Sequence, residues 1–176
     1  QFLDNHGGQE IEIIAKIENR AGVDNIEEIC EIADGIMIAR GDLGVEIPFM
    51  ELPSVQKYLI RKCRELGVRV ITATEMLESM ISNPRPTRAE ISDVANAVYD
   101  GSSAVMLSGE TAAGKYPVKT IKAMSKICEI TESSIDYTTK YQNEEFNIQN
   151  AMDAISHSVC RMAIDIDAKA IVVCSI

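Results

Sequence analysis

Charged and hydroxyl side chains follow short apolar segments of this chain, at the points where those segments end. Lys16 and Glu18 are two residues apart at the end of segment 11–17, so both side chains point to the same side of an extended backbone. Asp42 lies in segment 40–44, where two glycines favour a tight turn whose N–H groups can face an anion. We predict that Glu18 and Asp42 converge as oxygen ligands of the kind that Mg²⁺ takes, with Lys16 adding a positive charge.

Thr74, Ser108 and Glu110 extend this pattern, because they follow the next two apolar segments. Parallel α/β sheets and barrels place their active sites at the carboxyl ends of the strands. Taken one at a time, each of these residues also fits a solvated rim, a turn or a helix cap. Their shared position favours a site, and a metal ion beside a lysine suits a phosphorylated or enolate-forming acid. His6 and His157 are isolated, and we assign them no role.

Short apolar segments alternate with helical patterns along the chain, which is typical of stacked βα units. The predicted strands are rich in Ile and Val, as expected for buried parallel strands, and comprise residues 11–17, 35–39, 68–74, 104–107 and 170–174. Between them, apolar residues recur with a period of about 3.6, which predicts helices. Asp24 with Glu27 and Thr87 with Glu90 have the spacing of helix N-caps.

The pattern changes after the fourth predicted strand. Pro117 suits the first turn of a helix over residues 118–135, and the polar segment 136–147 then indicates a linker. A further helical pattern, marked by Ala151 and Ile155, leads into the fifth predicted strand. A four-stranded parallel sheet followed by one helix and a lone strand leaves open edges, and the chain therefore looks like a fragment.

Composition excludes several classes of protein. The 176 residues carry 17 Lys and Arg against 27 Asp and Glu, a net charge of −10, so a basic nucleic-acid surface is not expected. An apolar content of 46% fits a globular protein, and no apolar run approaches the roughly 20 residues of a membrane-spanning helix. Because residues 1–10 are polar rather than a signal peptide, we expect a cytoplasmic protein. The five cysteines are widely spaced, and we expect reduced thiols in the core: Cys30, Cys63, Cys128, Cys160 and Cys174.

Four segments closely resemble the pyruvate kinase family: IEIIAKIENRAGV at 11–23, GIMIARGDLGVEIP at 35–48, ITATEMLESMISNPRPTRAEI at 71–91 and DVANAVYDGSSAVMLSGETAAG at 93–114. The resemblance covers about residues 1–131, and residues 148–176 resemble the start of that family's C-terminal domain more weakly. It implies that residues 1–135 are the C-terminal half of a (β/α)₈ TIM barrel with four parallel βα units. Residues 136–147 would then be a linker, and residues 148–176 would begin an α/β regulatory domain.

The resemblance also implies an activity, the transfer of the phosphoryl group of phosphoenolpyruvate to ADP, which gives pyruvate and ATP in the last step of glycolysis. On this basis, Lys16 neutralises the phosphoryl group in flight and the enolate left behind. Glu18 and Asp42 bind Mg²⁺ or Mn²⁺. The backbone amides of Gly41 and Asp42, with the Thr74 hydroxyl, hold the carboxylate of pyruvate.

By the same resemblance, Thr74 lies on the route that protonates the enolate carbon, with Ser108 and Glu110 nearby. The chain departs from the family at Ala21, which is usually acidic or polar, and at Glu75, which is commonly glutamine. Glu75 therefore adds a negative charge beside Thr74.

The first half of the family's barrel supplies a phosphate-binding arginine, the K⁺ ligands and much of the nucleotide site. This chain shows no resemblance to that half, so we expect the isolated chain not to catalyse the reaction. The resemblance implies that the whole enzyme uses K⁺ and forms a homotetramer, with no nucleic-acid or membrane partner. Two alternatives stay open. The first is a Mg²⁺-dependent aldolase or lyase of the phosphoenolpyruvate/pyruvate barrel type. The second is not an enzyme: it is a half-barrel that binds metal or a partner chain, or a folding fragment. The open strand edges of such a half-barrel would favour self-association.

Overall fold

The computed structural model of the chain describes residues 2–143, 148 and 150–173. The chain divides into two compact units, Gln1–Ser133 and Ser134–Ile176. No helix in these described residues is both long enough and apolar enough to cross a lipid bilayer. The charged and hydroxyl residues that the sequence singles out as site residues all lie in the first unit.

The first unit is built on a sheet of four parallel strands in the order β1-β2-β3-β4. The strands are β1 (Ile14–Ile17), β2 (Gly35–Ala39), β3 (Arg69–Ala73) and β4 (Ala104–Met106). The first four predicted strands are therefore confirmed, with β1, β3 and β4 shorter than predicted. At β1 the reason is local, because the Ile13 N–H donates to the Asp34 carboxylate at 2.7 Å instead of joining the strand ladder.

Helices follow each strand of the first unit. They are α1 (Arg20–Asp24), α2 (Ile26–Cys30), α3 (Arg40–Glu46), α4 (Leu52–Glu65), α5 (Arg88–Asp100), α6 (Gly109–Ala112) and α7 (Pro117–Ser133). The tight turn expected at residues 40–44 is wrong, since those residues begin the short helix α3. Leu43 and Arg40 are buried in the packed unit, and this tertiary packing overrides the low helix propensity of Gly41 and Gly44.

One face of the sheet carries the main hydrophobic core. Its buried side chains pack with those of α2 and α4 and include Ile17, Ile36, Ile38, Val70, Ile26, Leu59, Ile60 and Cys63. A second cluster joins the segment after β3 to α5 and α7 and includes Met76, Leu77, Met80, Val94, Ala97 and Met124. The opposite face of the sheet is more open, with Lys16 exposed and Met37 and Ile71 half-buried. The helix layer therefore fixes the strands, and the strand ends are left accessible.

The two predicted helix caps have different outcomes. Thr87 and Glu90 form the predicted capping box at the start of α5, with each side chain bonded to the backbone of the other residue. The cap predicted at Asp24 is wrong, because Asp24 is the last residue of α1. The cap of α1 is Asn19, whose side-chain oxygen accepts the Gly22 N–H at 2.9 Å. α1 is thus a separate short helix before α2, and α2 begins at Ile26 with Asn25, one residue after Asp24, in the cap position.

The second unit contains α8 (Tyr137–Asn143) and α9 (Ala151–Asp165). Residues 136–147, expected to be a linker, thus include a helix over the range that α8 covers. This helix begins because the Asp136 carboxylate accepts hydrogen bonds from the Thr139 N–H at 3.0 Å and the Thr139 hydroxyl at 2.7 Å. The fifth predicted strand is wrong for its described residues 170–173, which have coil backbone, since a strand needs a hydrogen-bonded neighbour.

The structure also places His157 and four of the five cysteines. His157 stacks on Tyr141 within the second unit, and its backbone carbonyl accepts the Tyr141 hydroxyl at 2.6 Å. The thiols of Cys30, Cys63, Cys128 and Cys160 are free. Cys30 and Cys63 are buried as predicted, and burial raises the pKa of Cys63 to about 12. Cys160 is exposed on α9, so a core position is wrong for it, and Cys174 lies outside the described residues.

Candidate active site

Lys16, Glu18 and Asp42 form one charged group at the ends of β1 and β2. Lys16 is the third residue of β1, Glu18 follows the strand, and Asp42 lies in the first turn of α3, directly after β2. The Lys16 ammonium forms an ion pair with Glu18 and lies 3.8 Å from Asp42 Oδ2. The side chains of Lys16, Glu18 and Asp42 are 51%, 40% and 63% exposed. The charged group is therefore assembled and open to solvent.

The charges in this group reinforce one another. The hydrogen bond and the negative charge of Glu18, together with the charge of Asp42, raise the pKa of Lys16 above that of an ordinary lysine. The hydrogen bond from Lys16 in turn lowers the pKa of Glu18 below its ordinary value. The group thus holds one ammonium between two carboxyl groups, whose oxygens are the kind of ligand that a hard cation takes.

Thr74 lies beside the charged group, at the end of β3. Its hydroxyl oxygen accepts the Gly41 N–H at 2.7 Å and donates its own hydrogen to the Ala73 carbonyl at 2.6 Å. Since Gly41 precedes Asp42 in α3, this contact joins the end of β3 to the charged group. A Cβ at Gly41 would lie 3.4 Å from the Thr74 hydroxyl oxygen, an ordinary van der Waals distance, so Gly41 is in contact range of Thr74 but is not required there for space. The predicted site residues of the first three strand ends are thus brought together.

Arg40 was not predicted as a site residue, although its side chain bonds to the backbone on either side of the Thr74–Glu75 peptide and to α5. The guanidinium donates to the backbone carbonyls of Thr74 and Glu75 and pairs with the Asp93 carboxylate from α5. One indication of this role was present in the sequence. Arg40 directly follows a buried strand, and a charged side chain at such a position must either reach solvent or be paired with other polar groups. Asp93 gave no such signal, since its partner lies 53 residues away in the chain.

Glu110 contacts the loop after β3, and Ser108 is hydrogen-bonded to Glu110. Glu110 is fully buried, and its two carboxylate oxygens accept the N–H groups of Leu77 at 3.1 Å and Ser108 at 2.7 Å. The Ser108 carbonyl accepts the Thr111 hydroxyl at 3.4 Å, so Ser108 begins the turn into α6. These bonds indicate that Glu110 holds loops in place, and no hydrogen bond in the described residues links it to Lys16.

Glu75 follows Thr74 in the chain and adds the expected negative charge there. Together with burial, this charge contributes to a raised pKa of Glu78. Burial, followed by the charges of Glu110, Glu75 and Glu90, raises the pKa of Glu78. Glu75, Glu78 and Glu90 lie between β3 and α6 in the chain, and Glu110 lies in α6. In the described residues, however, no cluster of three or more His, Cys, Asp or Glu side chains has an arrangement that could hold a metal ion.

The fold and the site together define a class of protein: a partial parallel α/β barrel that gathers a lysine, two carboxylates and a threonine at the carboxyl ends of its strands. The sequence profile of the family described as "Pyruvate kinase, barrel domain" matches residues 1–121. The chain therefore belongs to the pyruvate kinase family, and its four parallel strands with their helices are part of a (β/α)₈ barrel.

Individual relatives agree with this assignment. The chain is 56% identical to a pyruvate kinase of Geobacillus stearothermophilus over 173 residues, which cover 98% of this chain and 30% of that protein. It is 50% identical to a pyruvate kinase of Clostridium acetobutylicum over 173 residues, covering 98% of this chain and 37% of that protein. The crystal structure of a pyruvate kinase from Cryptosporidium parvum superposes with a TM-score of 0.85 at 47% identity, covering 95% of this chain and 35% of the other. The chain thus spans about a third of the length of these relatives.

Proposed function

We propose that this chain supplies the lysine- and metal-binding part of a pyruvate kinase active site, which transfers a phosphoryl group from phosphoenolpyruvate to ADP. The observation that carries the proposal is the charged group, in which the Lys16 ammonium lies between the carboxylates of Glu18 and Asp42. Phosphoryl transfer depends on positioning and on neutralising negative charge, rather than on a nucleophile from the protein. A lysine and two carboxylates at adjacent strand ends supply that kind of electrostatic site.

The donor set fits Mg²⁺ or Mn²⁺. Glu18 and Asp42 both reach the same ammonium, so their oxygens converge on one point at which a cation is held. Mg²⁺ is usually bound through one or two carboxylates, with water and substrate oxygens completing its coordination. Two half-exposed carboxylates without a third protein ligand suit this pattern. When bound there, the metal ion would polarise the oxygens of the phosphoryl group and of the enolate.

The chain's own residues would divide the remaining work. Lys16 carries a fixed positive charge that offsets the charge of the phosphoryl group in flight and of the enolate oxygen. The Gly41 N–H, which now donates to the Thr74 hydroxyl, would donate to the substrate carboxylate, together with the Asp42 N–H and the Thr74 hydroxyl. Thr74 would also lie on the proton route to the enolate carbon. Ser108 and Glu110, proposed to lie near that route, would act by holding the loop after β3.

Other features of the whole enzyme stay predictions. They comprise the nucleotide site for ADP and ATP, the K⁺ requirement, assembly as a homotetramer, a role in glycolysis and a cytoplasmic location. The domain limits also stay predictions: residues 1–135 as the barrel half, residues 136–147 as the linker and residues 148–176 as the start of a C-terminal α/β domain. In support, the matched relatives align with 98% of this chain, which includes most of the second unit.

Calorimetric titration with Mn²⁺ tests the proposed metal site in the chain itself. We expect the native chain to bind Mn²⁺, and the variants Glu18→Gln and Asp42→Asn to lose at least about tenfold in affinity, because each removes one charged ligand. Glu12→Gln is the matched control, since Glu12 is an exposed carboxylate that forms an ion pair with Arg69 outside the site. Equal affinity in all four proteins would contradict the assignment of the ligands. Absence of binding to the native chain would mean that Glu18 and Asp42 need the other half of the barrel to bind the ion.

A turnover assay with phosphoenolpyruvate, ADP, Mg²⁺ and K⁺ tests whether the chain is sufficient by itself. We expect no measurable ATP, because the chain shows no resemblance to the half of the barrel that holds the nucleotide. ATP formation at the rate of a complete pyruvate kinase would contradict that expectation and would directly support the reaction. The aldolase or lyase alternative has lost its support, since relatives at 50% and 56% identity are pyruvate kinases.

A further inference from the structure

Two consecutive residues at the end of β3 adopt a backbone conformation that side chains disfavour. Thr74 has φ 70° and Glu75 has φ 53°, both in the left-handed region. Residues with a Cβ rarely enter this region, and β-branched threonine is among the least suited to it. Such a conformation persists only where the surrounding structure holds it. A specific set of contacts must therefore hold Thr74, the residue that contacts Gly41.

The Arg40 guanidinium supplies those contacts. Its Nε and Nη2 atoms donate to the Thr74 carbonyl at 3.0 and 2.6 Å, and Nη2 also donates to the Glu75 carbonyl at 3.0 Å. Nη2 further lies 2.9 Å from the sulfur of Met76. One side chain thus binds the carbonyl groups of both left-handed residues and touches the residue that follows them.

Burial makes this arrangement depend on arginine. The Arg40 side chain is only 8% exposed, and its charge is balanced by Asp93, whose two oxygens lie 2.9 and 2.7 Å from Nη1. Nη1 also donates to Gln56 Oε1 at 3.3 Å. A planar guanidinium can direct donors at two carbonyls, a carboxylate and an amide at once. A lysine has three donors around one point and cannot cover these four partners in the same plane.

Arg40 and Gly41 are adjacent, and they bind the same residue in different ways. The Arg40 side chain holds the backbone of Thr74, whereas the Gly41 N–H holds its hydroxyl at 2.7 Å. We propose that Arg40, with Asp93 as its counter-ion, is a positioning residue that keeps Thr74 and Glu75 in the left-handed conformation and so sets the Thr74 hydroxyl on the Gly41 N–H. The structural part of this inference stands by itself, and only its importance for catalysis rests on the proposed function.

Hydrogen exchange at the Gly41 amide tests the inference without substrate or metal. In the native chain, NMR-detected exchange at Gly41 is compared with exchange at Ile38 of β2, which is fully buried and reports the stability of the sheet. We expect Arg40→Lys to accelerate exchange at Gly41 at least about tenfold relative to Ile38. Arg69→Lys is the matched control, because Arg69 forms an exposed ion pair with Glu12 and should leave the ratio unchanged.

Rescue separates positioning from a general structural role. Glycine occupies the left-handed region without cost, so Glu75→Gly should remove part of the need for Arg40. Arg40→Lys should change the ratio of the exchange rates at Gly41 and Ile38. We expect this change to be at least about threefold smaller when Glu75→Gly is also present than when it is absent. If Arg40→Lys does not fold, Asp93→Asn takes its place, with an expected change of at least about threefold and the same rescue.

Each outcome decides the inference. Faster exchange at Gly41 alone, with rescue, supports it. An unchanged ratio, an equal acceleration at Gly41 and Ile38, or a change that Glu75→Gly does not reduce would overturn it. Because the Mn²⁺ titration uses different variants and a different readout, failure of the proposed metal site and failure of this inference are distinguishable.

Discussion

The charged group of Lys16, Glu18 and Asp42 and the loop of residues 74–77 after β3 lie at the same end of the sheet but are held in opposite ways. The side chains of the charged group are 40% to 63% exposed, and ion pairs are the contacts that join them. The 74–77 loop is held from two sides by buried groups, Arg40 at 8% exposure and Glu110 at 0%. One part of the site is open, whereas the other is fixed.

This difference suits the two tasks that the site is proposed to perform. Ligands of a metal ion must exchange their partners when the ion and the substrate arrive, and half-exposed ion pairs contribute little to stability, so they can be replaced at low cost. Groups that orient a carboxylate must already be in place, because movement during the reaction would weaken electrostatic stabilisation. Substitutions in the two parts should therefore differ sharply in their effect on folding.

The largest expected effect is on the fixed part. Glu110→Gln leaves an amide in place of a carboxylate that accepts two backbone N–H groups, so the new NH₂ group faces one of those donors. We expect a loss of about 2–3 kcal/mol in the free energy of unfolding at pH 7, measured by urea denaturation. Glu18→Gln is the control from the charged group, and its midpoint should stay close to that of the native chain. Equal losses in the two variants would show that the contrast between the two parts is not real.

A second prediction concerns the pH dependence of the segment that follows the loop. Burial alone would raise the pKa of Glu90, but hydrogen bonds from the N–H and hydroxyl groups of Ser79 and Thr87 outweigh it and lower the pKa. A carboxyl group with a lowered pKa in the folded state stabilises that state above its ordinary pKa and loses this contribution as the pH falls through the lowered value. The native chain should thus lose this part of its stability in acid.

The measurement is the difference in unfolding free energy between the native chain and Glu90→Gln from pH 7 to pH 3. We expect about 1–2 kcal/mol at pH 7, the range for a capping residue with additional charged hydrogen bonds, and a decline below about pH 4. Glu129→Gln, which changes an exposed carboxylate on α7, serves as the control and should cost less than Glu90→Gln at pH 7, because an exposed ion pair contributes little to stability. A difference that is constant with pH would mean that Glu90 is not held as an anion.

Much of the fold could be predicted because its signals are local. The strands β2 (Gly35–Ala39) and β4 (Ala104–Met106) lie in short apolar runs, and Thr87 with Glu90 matches the spacing of a helix start. The failures depended on context. Helix α3 contains two glycines and forms because Leu43 is buried. The strand predicted at 170–174 was inferred from apolar residues alone, and such a pattern does not show whether a neighbouring strand is there to pair with. Burial and pairing partners are properties of the folded chain.

The candidate site shows the same division. Lys16, Glu18 and Asp42 could be proposed because strand ends of parallel sheets meet at one edge. The pairing of Arg40 with Asp93 could not be predicted, since it joins α3 to α5 across a long stretch of sequence. The left-handed backbone of Thr74 was equally hidden, because threonine gives no local signal for that conformation. The charged group could thus be predicted from the sequence, whereas the contacts that hold the 74–77 loop could be found only in the structure.

The smallest effect is expected at the cap of α1, which anchors the chain directly after Glu18. Asn19→Ala removes the acceptor of the Gly22 N–H and should cost about 1 kcal/mol of unfolding free energy in urea denaturation. Asp24→Ala is a demanding control, because the sequence pattern indicates Asp24 as the cap, whereas the structure places it at the end of the helix. It should therefore cost less than Asn19→Ala. A larger loss for Asp24→Ala would contradict this, because it would mean that Asp24 contributes more to the helices after β1 than the Asn19 cap does, and the support directly behind Glu18 would then not come from that cap.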